Sequence, residues 1–102
     1  MNSKSDKNLC GVLVTTEFRG VFFGYIDLAE SFDDPLVLFN ARNCLYWDAS
    51  VKGFIGLAEN GPNDKCRIGP RVSQLILKKI TSVALVTSSA VQNWEKAPWA
   101  SS

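Results

Sequence analysis

LCGVLVTTEFRGVFFGYIDL, residues Leu9–Leu28, reads as two apolar strands joined by a polar link. In the first, Leu9 to Thr16, alternation sets Val12 and Val14 on one face and Leu13 and Thr15 on the other. After Glu17-Phe18-Arg19-Gly20, the second strand puts Val21, Phe23 and Tyr25 on one face and Phe22, Ile26 and Leu28 on the other. A strand that is apolar on both faces belongs in the middle of a sheet. Gly24 inside it predicts a bulge, a sharp bend or a close backbone approach, as a tightly curved small barrel requires.

Downstream, the acidic Ala29 to Pro35 reads as a loop and Leu36 to Phe39 as a third strand. Asn40 to Asn43 reads as a tight polar connection or a bulge, followed by a short aromatic strand, Cys44 to Trp47. The period then changes. Val51, Phe54, Ile55 and Ala58 follow helical spacing, with Asp48 or Ser50 available as N-cap and Asn60-Gly61-Pro62 as the stop. Gly53 and Gly56 fit such a helix only if something packs against their face. Asn63 to Pro70 is loop-like, and two further strands follow, Val72 to Ile80 and Ser82 to Thr87. Ser89-Ala90-Val91-Gln92 matches a capping box opening a last helix through Trp94 to about Lys96, stopped by Pro98. The expected fold is α+β and mainly β: a small, strongly bent antiparallel sheet or partly open barrel of about six strands, with one inserted short helix and a C-terminal helix. The expected layout is a disordered tail over 1–8, one domain over 9–97 and a second tail over 98–102.

The 102 residues suffice for one small core. A net charge of +1 gives no whole-chain attraction to nucleic acid or anionic membrane. Histidine is absent, which removes Ser-His and Cys-His dyads and the commonest zinc ligand. The widely spaced Cys10, Cys44 and Cys66 fit neither a disulfide framework nor a metal knuckle, and read as free, reduced thiols acting as small hydrophobes. No catalytic residue, cofactor or metal is therefore expected. The apolar runs are too short for a spanning helix of about 20 residues, and no secretory signal is visible.

Charge is segregated along the chain. Glu17 to Asp34 holds five acids against Arg19 alone, whereas Pro35 to Lys79 holds seven bases against Asp48, Glu59 and Asp64. Such segments neutralise each other across strands or subunits, or else the second carries an anion site. The candidate site comprises Arg42, Asn43, Tyr46, Trp47, Lys52, Lys65, Arg67 and Arg71, with Phe54 as a further ring. Guanidinium forks suit phosphate, Lys52 lies near a predicted helix start that favours anions, and Tyr46 or Trp47 offers a stacking face. The expectation is that Arg42, Arg67 and Arg71 converge on one concave site.

RGVFFGY at Arg19 to Tyr25, NARNCLYW at Asn40 to Trp47, VKGFIGLAENGP at Val51 to Pro62 and CRIGPRV at Cys66 to Val72 resemble a family of small bacteriophage- and prophage-encoded proteins of unknown function. That resemblance implies a phage setting and the bacterial host cytoplasm, and no catalytic residue. More loosely, RGVFFGYID followed by VLFNAR looks like the strand succession of Sm-like and SH3-like barrels, from which the inserted helix departs. The function expected is an oligomeric binding protein that sequesters a small anionic, nucleotide-like ligand and counters a host defence signal. The alternatives are a nucleic-acid-binding accessory protein, and a protein inhibitor or minor virion component.

Overall fold

The computed structural model describes residues 9–17, 20–27 and 35–97. Both tails, the Phe18-Arg19 part of the first link and most of the acidic loop lie outside the described residues. Strands β1 (Leu9–Thr16), β2 (Val21–Asp27) and β3 (Leu36–Tyr46) form an antiparallel meander. A 3₁₀ turn (Ala49–Val51) and helix α1 (Gly53–Glu59) follow, then β4 (Arg67–Leu77), β5 (Ile80–Leu85) and helix α2 (Ser88–Lys96). The sheet order is β4-β3-β2-β1-β5, so β2 is the central strand its two apolar faces require.

β4 and β5 lie at opposite margins of the sheet, yet only Lys78 and Lys79 join them. Four inter-strand steps of about 4.8 Å make roughly 19 Å in a flat sheet, beyond the ~11 Å that three peptide units can span. The sheet must therefore curl. The buried cluster on one face shows the curl: Val12, Val14, Ile26, Leu36, Leu38, Ala41 and Leu77 pack with Leu75 of one margin and Ile80 and Val83 of the other. On the opposite face Leu13, Val21, Phe23, Cys44 and Ile68 are covered by Leu57 and Ala58 of α1 and Ala90 and Trp94 of α2. Trp94 stacks on Phe23 with ring centroids 5.1 Å apart, and its Nε1–H donates to the Leu57 carbonyl at 3.2 Å. The ring is fully buried with its polar atom satisfied.

Five strands form where six were expected, because Leu36–Tyr46 is one continuous strand. Its polar centre is a bulge: the β2–β3 register slips between Phe23 and Tyr25, opposite Asn40 in the left-handed region at φ 50°. Gly24 sits at the slip, where a Cβ would lie 3.2 Å from both the Leu38 side chain and the Phe39 carbonyl oxygen. Trp47 lies just beyond the strand, and β4 starts at Arg67, inside the segment expected as loop. Pro70 is accommodated there because β4 is a sheet margin with a local register slip. The last strand ends at Leu85, and Thr87, not Ser89, caps α2 by accepting from the Ala90 N–H at 3.2 Å.

Candidate functional site

Strand register brings the predicted site residues together in two groups. Arg42 lies opposite Arg71, and Tyr46 lies opposite Arg67. Arg42 is 1% exposed, and all three of its guanidinium nitrogens donate to carbonyl oxygens. Nε reaches Gly69 at 3.1 Å, Nη1 reaches Trp94 at 2.6 Å and Nη2 reaches Ala97 at 3.1 Å. The last two carbonyls belong to the C-terminal end of α2, where cations are favoured. Arg42 is thus an internal clamp rather than a surface anion ligand. Burial and the neighbouring Arg71 pull its pKa below the ordinary guanidinium value, against the opposing influence of Glu95.

Arg71 pairs with Glu95 of α2 at 2.8 Å, and the other Glu95 carboxylate oxygen accepts from the Tyr25 hydroxyl. Burial first, then that bond and the carboxylate's charge, push the Tyr25 pKa well above the ordinary phenol range. These groups stitch α2 to the sheet. Arg42 and Arg71 are therefore neighbours with different partners, and Arg67 stands apart from both, opposite Tyr46 where the β3–β4 pair ends. Asn43 is exposed between the two groups.

The second group occupies the end of the molecule where β3 leaves the sheet and β4 enters it. Tyr46 is 52% exposed, Arg67, Lys65 and Lys52 are exposed, and Trp47 and Phe54 are half-buried against the α1 face of the core. Two neighbouring aromatics thus divide their work: Trp47 packs, Tyr46 presents its ring. Asp48 caps the 3₁₀ turn by accepting from the Ser50 N–H at 3.0 Å. The Ser50 side chain first, then that backbone bond, with a smaller contribution from the Lys65 charge, hold its pKa below the usual carboxylate range. Asn63 braces the facing loop: its Nδ2 donates to Ser50 Oγ at 2.9 Å and its Oδ1 accepts from the Lys65 N–H at 3.0 Å. Lys52 is left-handed at φ 69° at the junction of the 3₁₀ turn and α1, a helix of seven residues.

Asn63 and Glu95 organise the two groups, and neither is among the residues singled out from the sequence. Asn63 carried a visible signal, an Asx turn to Lys65 two positions on. Glu95 carried none, since its partners lie 24 and 70 positions away in the chain. Cys44 and Cys66 are buried and Cys10 half-buried, all three free. Burial, with Cys66 nearby, pushes the Cys44 thiol up to about 12. Among the described residues no three metal-ligating side chains come together, and no helix is long and apolar enough to cross a membrane. Two cavities, about 270 Å³ beside Asp27 and Phe39 and about 220 Å³ between Asn63 and Asn93, are lined by none of the predicted site residues.

A curled five-stranded sheet with two helices on one face and a basic-aromatic end defines a small β-rich domain. The chain belongs to the family described as domain of unknown function DUF6948, whose model matches residues 10–94. No curated protein and no solved structure matches the chain.

Proposed function

We propose that the protein is an oligomeric, non-catalytic binding protein that sequesters a small anionic, nucleotide-like ligand at the Tyr46 end. The observation that carries this reading is the cross-strand pair of Tyr46 and Arg67, both exposed, with Lys65 two residues before Arg67 on a loop braced by Asn63. An exposed ring stacks on a base, while a guanidinium fork and an ammonium take the phosphate. Lys52 and Asn43 flank that end, Arg71 contributes field, and Arg42 acts only through the fold. The resemblance to small phage and prophage proteins supports a host-cytoplasmic setting in which removing a nucleotide signal blunts a defence.

Native mass spectrometry of protein purified from bacterial cells tests both halves of the reading, reporting a multiple of the 11.2 kDa chain with a co-purified nucleotide. Calorimetric titration with that nucleotide then separates a binding role for Arg67 from a structural one. Arg67→Ala is expected to weaken binding by about tenfold or more, the loss of one charge-assisted hydrogen bond, with the fold retained. Arg67→Lys is expected to lose affinity too, because the fork goes while the charge stays. Binding that survives Arg67→Ala, or a bare 11.2 kDa monomer, overturns the reading.

A further inference from the structure

The fold brings together two thiols that the sequence keeps far apart. Cys44 lies on β3 opposite Ile68 of β4, and Tyr46 lies opposite Arg67, so Cys66 stands just ahead of that last pairing. Cys44, Cys66 and Ile68 belong to one buried cluster, on the face that α1 and α2 cover. The Cys44 thiol donates along its own strand to the Tyr46 carbonyl at 3.8 Å, so its sulfur leans toward the end at which Cys66 enters. The two are close enough for the charge of Cys66 to act on Cys44. Cys10 is elsewhere, opposite Ile26 and packed on the other face of the sheet.

Diagonal neighbours on one face of an antiparallel pair lie about 7–8 Å apart, and closing a disulfide of about 4.4–6.8 Å between Cα atoms takes a further shift of roughly 1 Å. Cys66 is placed to make it. It precedes β4, outside the ladder, and its N–H and its thiol both bond only back to Asn63, at 3.1 Å and 3.5 Å. We infer that Cys44 and Cys66 are a redox pair, which a small disulfide such as oxidised glutathione converts to an intrachain disulfide. One cysteine thiolate attacks a glutathione sulfur and releases one glutathione; the second then attacks the protein sulfur of the mixed disulfide and releases the other. Two cysteine sulfurs are oxidised, two glutathiones are reduced, and the two thiol protons pass through solvent to the departing thiolates. A bond that needs a backbone shift is the more easily reduced, so reduced glutathione reverses it. The shift falls beside Arg67, which faces Tyr46, and oxidation therefore resets the spacing of that exposed end. The pair stands whether or not that end holds a nucleotide.

The test equilibrates the full chain for hours in mixtures of reduced and oxidised glutathione, traps remaining thiols by alkylation in urea, and maps the peptides by mass spectrometry without reduction. The expected result is a Cys44–Cys66 link within a single 11.2 kDa chain, lost again on return to reduced glutathione. Cys10 is expected to carry either glutathione or the alkyl group, and Cys10→Ala to leave the link unchanged. By NMR, the amide shifts on oxidation are expected to centre on Asn63 to Arg67 and Cys44 to Tyr46. The wild-type map decides even where the variant fails to fold. Links that join two chains or include Cys10 overturn the inference. So do Cys44 and Cys66 recovered fully alkylated once Cys10 is fully glutathionylated, or a link that forms only when the oxidation itself is done in urea.

Discussion

At Gly56 the lack of a side chain is a packing requirement. A Cβ there would lie 1.6 Å from the Val51 carbonyl oxygen, so the 3₁₀ turn and α1 close on each other only over hydrogen. Gly56→Ala is expected to cost about 3 kcal/mol or more, the upper range for overpacking, read as a lowered urea midpoint at unchanged slope. Gly56 was legible as a residue needing something packed against it, although its partner proved to be backbone. Arg42 was not legible from charge counting, which treats every arginine as surface. The clue was parity: Arg42 and Cys44 are two apart on one strand, and Cys44 is an interior residue. Arg42→Lys is expected to lose about 3 kcal/mol, because one ammonium cannot reach the Gly69, Trp94 and Ala97 carbonyls that three guanidinium nitrogens serve. Urea denaturation checks it; a stability unchanged by lysine would make Arg42 a dispensable charge.

Among the elements, α2 shows how a local motif yields to its surroundings. Ser89 heads a sequence-perfect capping box, yet the helix begins one residue earlier, at Ser88. Thr87 wins because its hydroxyl does two jobs, accepting from Ala90 N–H and donating to the Glu59 carbonyl at 2.6 Å. The second bond belongs to the α1–α2 junction, which no window of local sequence contains. Thr87→Ala is therefore expected to cost about 1–2 kcal/mol, and Ser89→Ala less than about 0.5 kcal/mol, in thermal or urea unfolding. The merging of two predicted strands into β3 has the same origin. Asn40 to Asn43 carries turn-like polarity, but the interior position of Ala41 and the bonds of Arg42 hold the chain extended through it, leaving only the bulge at Asn40. Alternation showed where strands run; it did not show that a polar tetrapeptide was half buried. For the candidate site, residue types were legible while their sorting into an internal clamp and an exposed end depended on register.

For the molecule as a whole, alkali is expected to weaken the fold. The folded state holds the Cys44 proton up to about pH 12, whereas an unfolded cysteine releases it near the ordinary 9.0. The unfolded chain then binds fewer protons than the folded one, so stability is complete below about pH 9 and declines above it, with a limiting slope of about 1.4 kcal/mol per pH unit from this thiol. Tyr25, whose pKa is also raised, adds to the decline above its ordinary 10.0. Urea midpoints between pH 8 and about 10.5 should fall accordingly, and Cys44→Ala should flatten the earlier part of the fall; a flat wild-type profile would contradict the burial of both groups. The two-residue link between the sheet margins bears on a different property, the order of events in synthesis. β1 finds β2 within a short hairpin, but its other neighbour is β5, with Val12 paired to Leu85. Such distant pairing makes loop closure a large part of the folding barrier and slows folding relative to local topologies. A nascent chain that has not yet delivered residues 80–85 to the sheet carries β1 with one bare edge, and during that interval the apolar run GVLV is the part of the protein that a chaperone would need to hold.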